Sequence, residues 1–156
     1  MFVTPPESSS SRQPHDGLAR RMREHLSGSA PAIQALAEQI TDDKGVVHRP
    51  LEWIFMKGAW HQGRLVLLGD ATHATTPHLG QGAGLAIEDA LVLADELVKA
   101  DSVQEAFETY RERRYERCEY IVEKSKAICD GQLGLGPFVD PARATREMFD
   151  VISRPI

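Results

Sequence analysis

No run of apolar residues in this sequence approaches the roughly 20 needed to cross a bilayer, so no membrane-spanning helix is expected in it. Basic residues are in deficit rather than excess. A net charge of −5 leaves no surface that would draw in nucleic acid or anionic lipid. Cysteine is nearly absent: Cys118 and Cys129 stand alone with no CxxC partner, so both read as reduced thiols and no metal site is expected. The opening MFVTPPESSSSRQP lacks the basic end and apolar centre of a secretory signal, and a cytoplasmic protein is expected. No internal repeat is visible. What is present, over 156 residues, is 42% hydrophobic and 26% charged, a globular composition with enough chain for one ordinary core.

The order of local signals gives a set of expected elements. Residues 4–15, with three prolines and the run Ser8 to Ser11, read as a flexible segment. Asp16 is placed to cap a helix to about Leu26, and Pro31 to start a second one to about Ile40. TDDKG (41–45) reads as a turn, and Val46 to Phe55 as an extended stretch in which Pro50 implies an edge or a bulge. Leu65-Val66-Leu67-Leu68 is a short continuous apolar run ending at Gly69-Asp70. Such a run suits a strand buried on both faces of a parallel sheet. A helix from about Ala83 to Lys99 has apolar residues around much of its circumference and reads as largely buried. Asp101 or Ser102 caps a long helix to about Asp130, which Gly131, Gly134 and Gly136 break. Asp140-Pro141 opens a last helix through about Ile152.

Chemistry concentrates between Gly69 and Gly84. A strand that ends on Asp70 presents a carboxylate where ligands of open α/β sheets bind, suited to sugar-like hydroxyls. Gly80, Gly82 and Gly84 let the backbone turn tightly and approach a flat ligand. The helix that follows aims free N–H groups and its positive dipole end at that ligand. A ring carbonyl carrying negative charge would be stabilised there. Taken singly, a glycine run, a strand-end Asp, His73 or His78 is more often structural than functional. The ordered string is what gives the segment meaning.

That string, GRLVLLGDATHATTPHLGQGAGLAIEDALVLADEL (63–97), resembles the second flavin motif of class A FAD-dependent aromatic monooxygenases of the salicylate and p-hydroxybenzoate hydroxylase type. Asp70, His73, Pro77, Gly80, Gln81, Gly82, Gly84, Glu88, Asp89 and Ala90 fall in register with the pattern GD-A-x-H, Pro, GQGAG, EDA. RPLEWIFMKGAWHQG (49–63) resembles the end of that family's substrate-domain sheet, and TYRERRYER (109–117) lies in a helix like the one that packs across its domains. The resemblance implies an α/β fold: the C-terminal portion of a Rossmann-like FAD/NAD(P)-binding fold, with the end of the substrate-domain sheet and long C-terminal helices. Residues 16–62 would be a remnant of the substrate-binding domain and 63–156 the C-terminal part of the FAD-binding domain. It implies FAD as cofactor, NAD(P)H as reductant and a small aromatic substrate hydroxylated with O2. Cofactor contacts would be Gly69, Asp70, His73, Pro77, Gly80, Gln81, Gly82, Ala83 and Gly84. Asp70 would bind ribityl or ribose hydroxyls, and Pro77 would be the catalytic position, over the ring near its oxygen-reacting carbon. The N–H groups from Gly80 to Gly84 would face the pyrimidine edge. His73 would order the loop, while Glu88 and Asp89 would cap and hold the helix.

The sequence departs from the family in lacking a strand–GxGxxG–helix unit before residue 63 and a mid-chain DG motif. The expectation is therefore the distal part of such an enzyme, inactive alone and completed by a complementary N-terminal chain or, failing that, by self-association. The alternative is a catalytically inactive truncated homologue acting as a binding or interaction module. Trp53, Phe55 and Trp60 either line a substrate pocket or pack in a core; Trp53, Phe55 and His78 are the candidate substrate contacts. Arg111, Arg113, Arg114 and Arg117 interleave with Glu105, Glu108, Glu112, Glu116 and Glu119, which favours a solvated, ion-paired face over an anion site.

Overall fold

The computed structural model describes residues 16–156, which divide into two compact units, 16–51 and 52–156. The flexible stretch expected over 4–15 lies outside the described residues. In the smaller unit, helix α1 (Leu18–Leu26) is followed by α2 (Pro31–Ala37) and a 3-10 turn at Asp43–Gly45. Asp16 does not cap α1. Gly17, in the left-handed region at φ 80°, occupies the cap position, and the Asp43 carboxylate accepts from Gly17 N (2.6 Å) and Ala19 N (2.8 Å). A carboxylate 24 residues away in sequence satisfies the orphan donors that a local one was expected to take. Pro31 opens α2 as its first residue, and the helix ends at Ala37, short of Ile40.

In the larger unit the chain runs extended from Glu52 and joins no sheet, although Ile54 N and Met56 N donate to the carbonyls of Ala74 and Thr72, each at 2.9 Å. Strands β1 (His61–Gln62) and β2 (Leu65–Val66) form a two-residue antiparallel hairpin, His61 opposite Val66, turning at Gly63 with φ 58°. The apolar run 65–68 is therefore not the doubly buried parallel strand its composition suggests. Leu65 is 76% exposed, and Leu67 and Leu68 are also exposed. A parallel strand needs neighbours on both sides, and among the described residues only β1 pairs with it.

Helix α3 (Asp70–His73), a single turn, leads through a 3-10 turn at Pro77–Leu79 into α4 (Gly82–Lys99). The expectation of a largely buried α4 is also corrected. Only Leu85, Asp89, Val92 and Glu96, one stripe at helical spacing, are buried, while Ile87, Leu91, Leu97 and Val98 are open. The long helix α5 (Val103–Gln132) covers that stripe. Ser102 Oγ caps α5 by accepting from Glu105 N at 3.1 Å. Its end is a Schellman motif: Gly134 sits at φ 71°, Leu135 N bonds Asp130 O at 2.8 Å, and Gly134 N bonds Gly131 O. Gly131 therefore lies inside the last turn rather than breaking it. A Cβ there would come 2.7 Å from the Pro137 carbonyl oxygen. Helix α6 (Pro141–Ile152) starts as expected, with the Asp140 carboxylate accepting from Ala142 N.

The larger unit is thus mostly helical with a small sheet. Its core joins Trp60, Leu79, Leu85, Val92, Tyr110, Cys118, Ile121, Ile128, Ala144 and Met148. Trp60 is fully buried, its ring 5.7 Å from that of Tyr110 and 5.9 Å from His73, with Nε1 donating to Met56 O at 2.8 Å. Its removal leaves a cavity and an orphaned carbonyl. Trp60→Ala should cost about 3–5 kcal/mol in urea denaturation, against about 0.5 kcal/mol or less for Phe138→Ala at the surface.

Candidate functional site

The site begins at Gly69. Its backbone sits at φ 58°, ψ −139°, and a Cβ would lie 3.1 Å from that of Ala86, so both conformation and close approach to α4 call for glycine. Its carbonyl then closes α3 by accepting from Thr72 N, His73 N and Thr72 Oγ1 at 2.9–3.0 Å. Asp70, the first residue of that turn, is exposed. Pro77 opens the 3-10 turn and is exposed. Gly80 closes it at φ 65°, a backbone that L side chains rarely adopt.

Gln81 precedes α4 without its side chain capping it, and the helix's first internal bond runs from Leu85 N to Gln81 O at 2.9 Å. The N–H groups of Gly82, Ala83 and Gly84 thus lack intrahelical acceptors and form the positive end of an 18-residue helix. Beside Gly82 an added Cβ would meet only the Thr75 methyl at 3.6 Å, and beside Gly84 only Gln81 Oε1 at 3.4 Å. A flat acceptor can approach these donors closely. The contacts Gly69–Ala86 and Gly82–Thr75 bring the 69–73 turn and the start of α4 into one region.

A buried charge network holds that region in place. Asp89, fully buried, accepts from Gly69 N (2.8 Å) and lies 2.6 Å from His73 Nε2 through one oxygen; its other oxygen accepts from Arg114 Nε at 2.8 Å. A carboxylate only accepts, so His73 Nε2 carries the proton. Burial by itself would raise the Asp89 pKa, but the hydrogen bonds from His73, Arg114 and Gly69 outweigh it and hold the carboxyl below its ordinary 3.8. Arg114, fully buried, also pairs with Glu88 Oε2 at 2.7 Å and donates to Leu85 O at 3.3 Å. Arg117 meets Glu88 Oε1 at 3.2 Å and donates to the Ile152 carbonyl at 2.9 Å.

These contacts correct two readings. Asp89 does not cap its own helix but ties the preceding turn to it. Arg114 and Arg117 do not belong to a solvated face; both are buried. The signal was present in the sequence, because Arg114 falls four residues after Tyr110 and seven before Ile121, on the apolar stripe of α5. His73, Asp89 and Cys118 have ligand atoms within 4.8 Å of one another, a spacing that could hold a cation. The Arg114 guanidinium already occupies one Asp89 oxygen. Burial pushes the Cys118 thiol up to about 12, so with no cation present it keeps its proton.

The remaining candidates are placed as follows. His78 is half-buried, with Nδ1 2.9 Å from Thr76 Oγ1. Trp53 is 45% exposed and carries the Lys126 ammonium 5.3 Å from its ring. Phe55 is half-buried, edge-on to Tyr115 at 4.9 Å. Removing the central carboxylate should expose its importance. Asp89→Ala leaves Arg114 buried and uncompensated and should destabilise by about 3–5 kcal/mol. The folded pKa of Asp89 is depressed, so its contribution is complete above about pH 3.8 and is lost as pH falls through the lower folded value. The Asp89 part of the stability gap between wild type and Asp89→Asn should accordingly narrow as pH falls below about 3.8 in urea melts.

A family model described as an FAD binding domain matches residues 16–125. The chain is 41% identical over 105 residues to 6-hydroxynicotinate 3-monooxygenase of Pseudomonas fluorescens, covering 64% of this chain and 26% of that protein. It is 32% identical over 118 residues to the FAD-dependent urate hydroxylase of Klebsiella oxytoca, covering 72% and 29%. Among solved structures it is similar to Klebsiella pneumoniae HpxO complexed with FAD and uric acid, at TM-score 0.71 and 28% identity over 94% of this chain and 36% of that one. The chain spans about a third or less of the length of the curated relatives it matches. With the model matched over most of its length, and with the GDATHATTPHLGQGAGLAIEDA segment inside the match, the chain belongs to the FAD binding domain family, whose members among its relatives are FAD-dependent monooxygenases.

Proposed function

We propose that this chain supplies the flavin-ring contacts of a cytoplasmic FAD-dependent monooxygenase acting on a small aromatic substrate, with NAD(P)H as reductant. The observation that carries this reading is the N-terminus of α4, which no side chain caps, in a helix whose Asp89 holds the Gly69 amide of the preceding turn. The names of its relatives, a 6-hydroxynicotinate monooxygenase and a urate hydroxylase, support the aromatic class.

The residues present fit a flavin ring. Gly82, Ala83 and Gly84 would direct N–H groups and the helix dipole at the ring's carbonyl edge, where negative charge collects on reduction. Asp70 would accept from ribityl or ribose hydroxyls. Pro77, rigid and exposed, would lie against the ring face, and Gly80 and Gln81 would shape the turn between them. His73, tied to Asp89, keeps the loop in register. Bound FAD would supply the redox chemistry, taking reducing equivalents from NAD(P)H and activating O2 for transfer of one oxygen atom. The chain's own part is to orient the ring, stabilise its charge and exclude water.

The phosphate and adenosine parts of FAD need a GxGxxG-bearing segment, which a complementary polypeptide would provide. The open apolar residues Leu65, Leu67 and Leu68 near β2, with Ile87, Leu91 and Val98 on α4, support such a partner. The same open surface favours a second reading, a binding module without turnover; flavin titration distinguishes them.

Two expectations follow. Asp70→Ala should weaken FAD binding to the assembled protein by about 1–3 kcal/mol in fluorescence titration. Gly82→Val has room in the fold and a backbone that is not left-handed, so it should melt near wild type yet lose more flavin than Asp70→Ala. Unchanged affinity in both variants would remove the assigned site. For assembly, light scattering of the chain alone should give a mass above the 17.3 kDa monomer, and Ile87→Lys with Leu91→Lys should return it to monomer.

A further inference from the structure

The two backbone segments assigned to the flavin, the 69–73 turn and the first turn of α4, share an anchor on neither of them. Arg114 lies on α5, 25 residues from Asp89, and is fully buried. Its Nε donates to Asp89 Oδ1 at 2.8 Å, one terminal nitrogen donates to the Leu85 carbonyl at 3.3 Å, and the other pairs with Glu88 Oε2 at 2.7 Å. Leu85, Glu88 and Asp89 occupy the first two turns of α4. The other Asp89 oxygen faces Gly69 N at 2.8 Å and His73 Nε2 at 2.6 Å. A single planar guanidinium thus spans three positions at the start of α4 and, through one carboxylate, two positions of the preceding turn.

We infer that Arg114 is a positioning residue: it sets the separation between the 69–73 turn and the N-terminus of α4, and so the width of the slot a flat ring enters. This rests on the flavin reading of those two segments. The alternative role, neutralising the buried Asp89 charge, makes a different demand. Any cation would neutralise, but only a fork of fixed geometry holds Asp89, Glu88 and the Leu85 carbonyl together. Lysine offers one compact ammonium and cannot span them. Arg114 is itself held by the helix that lines the core at Tyr110, Cys118 and Ile121, so the anchor belongs to the least mobile part of the unit.

Amide hydrogen exchange on the whole chain tests this without flavin. In Arg114→Lys, exchange at Gly69, Thr72, His73 and Leu85 should rise about tenfold, while Ile128 and Met148 in the core stay within about twofold. Glu88→Gln, at a half-exposed position, keeps the core charge pair and should give the same pattern at smaller amplitude. Unchanged exchange at the four amides, or an equal rise at all six, would overturn the inference. FAD fluorescence on the same variants, each assembled with a GxGxxG-bearing polypeptide, separates the two ideas. With wild type responding, Arg114→Lys should bind FAD at least tenfold more weakly at a temperature where both are fully folded. If the assembled wild type gives no response, the flavin reading fails, and the exchange pattern alone decides whether Arg114 spaces the two turns.

Discussion

The larger unit depends on what happens to one buried carboxylate. Asp89 is removed from water, which opposes ionisation, yet it is kept charged by three donors from three different parts of the chain: the Gly69 amide, the His73 ring and the Arg114 guanidinium. Each donor solves a separate structural problem. Gly69 ends the hairpin segment in a left-handed turn, His73 closes α3, and Arg114 brings α5 onto α4. Because the carboxylate has two oxygens and both are used, none of the three can move without leaving a charge unpaired in a low-dielectric interior.

A second constraint concerns what the chain leaves uncovered. α4 packs chiefly on α5 through one buried stripe; the residues on its remaining circumference include Ile87, Leu91 and Val98, which face outward. The apolar run from Leu65 to Leu68 has the composition of an interior strand and the exposure of a surface one. Composition records the environment a segment is suited to, while exposure records the environment it has here. The disagreement between them concentrates on the two elements that flank the candidate site, and it accords with a chain spanning about a third or less of the length of its relatives.

Much of the local structure was legible in the sequence because its causes lie within four residues. Pro31 and Pro141 start helices since a missing N–H costs nothing in the first turn, Ser102 and Asp140 cap them, and Gly134 ends α5 in the one conformation only glycine adopts freely. The string from Gly69 to Gly84 was legible in part for the same reason, Gly69 and Gly80 each marking a turn with positive φ. Tertiary structure alone decided which charges are buried and which apolar surfaces are not. Asp43 displaced Asp16 as the cap of α1, and Arg114 left the ion-paired face for the core, because their partners lie 24 and 25 residues away. Helical spacing says which side chains share a face, but only packing says which face meets a neighbour, and among the described residues Leu65 on β2 and Ile87, Leu91 and Val98 on α4 stay exposed.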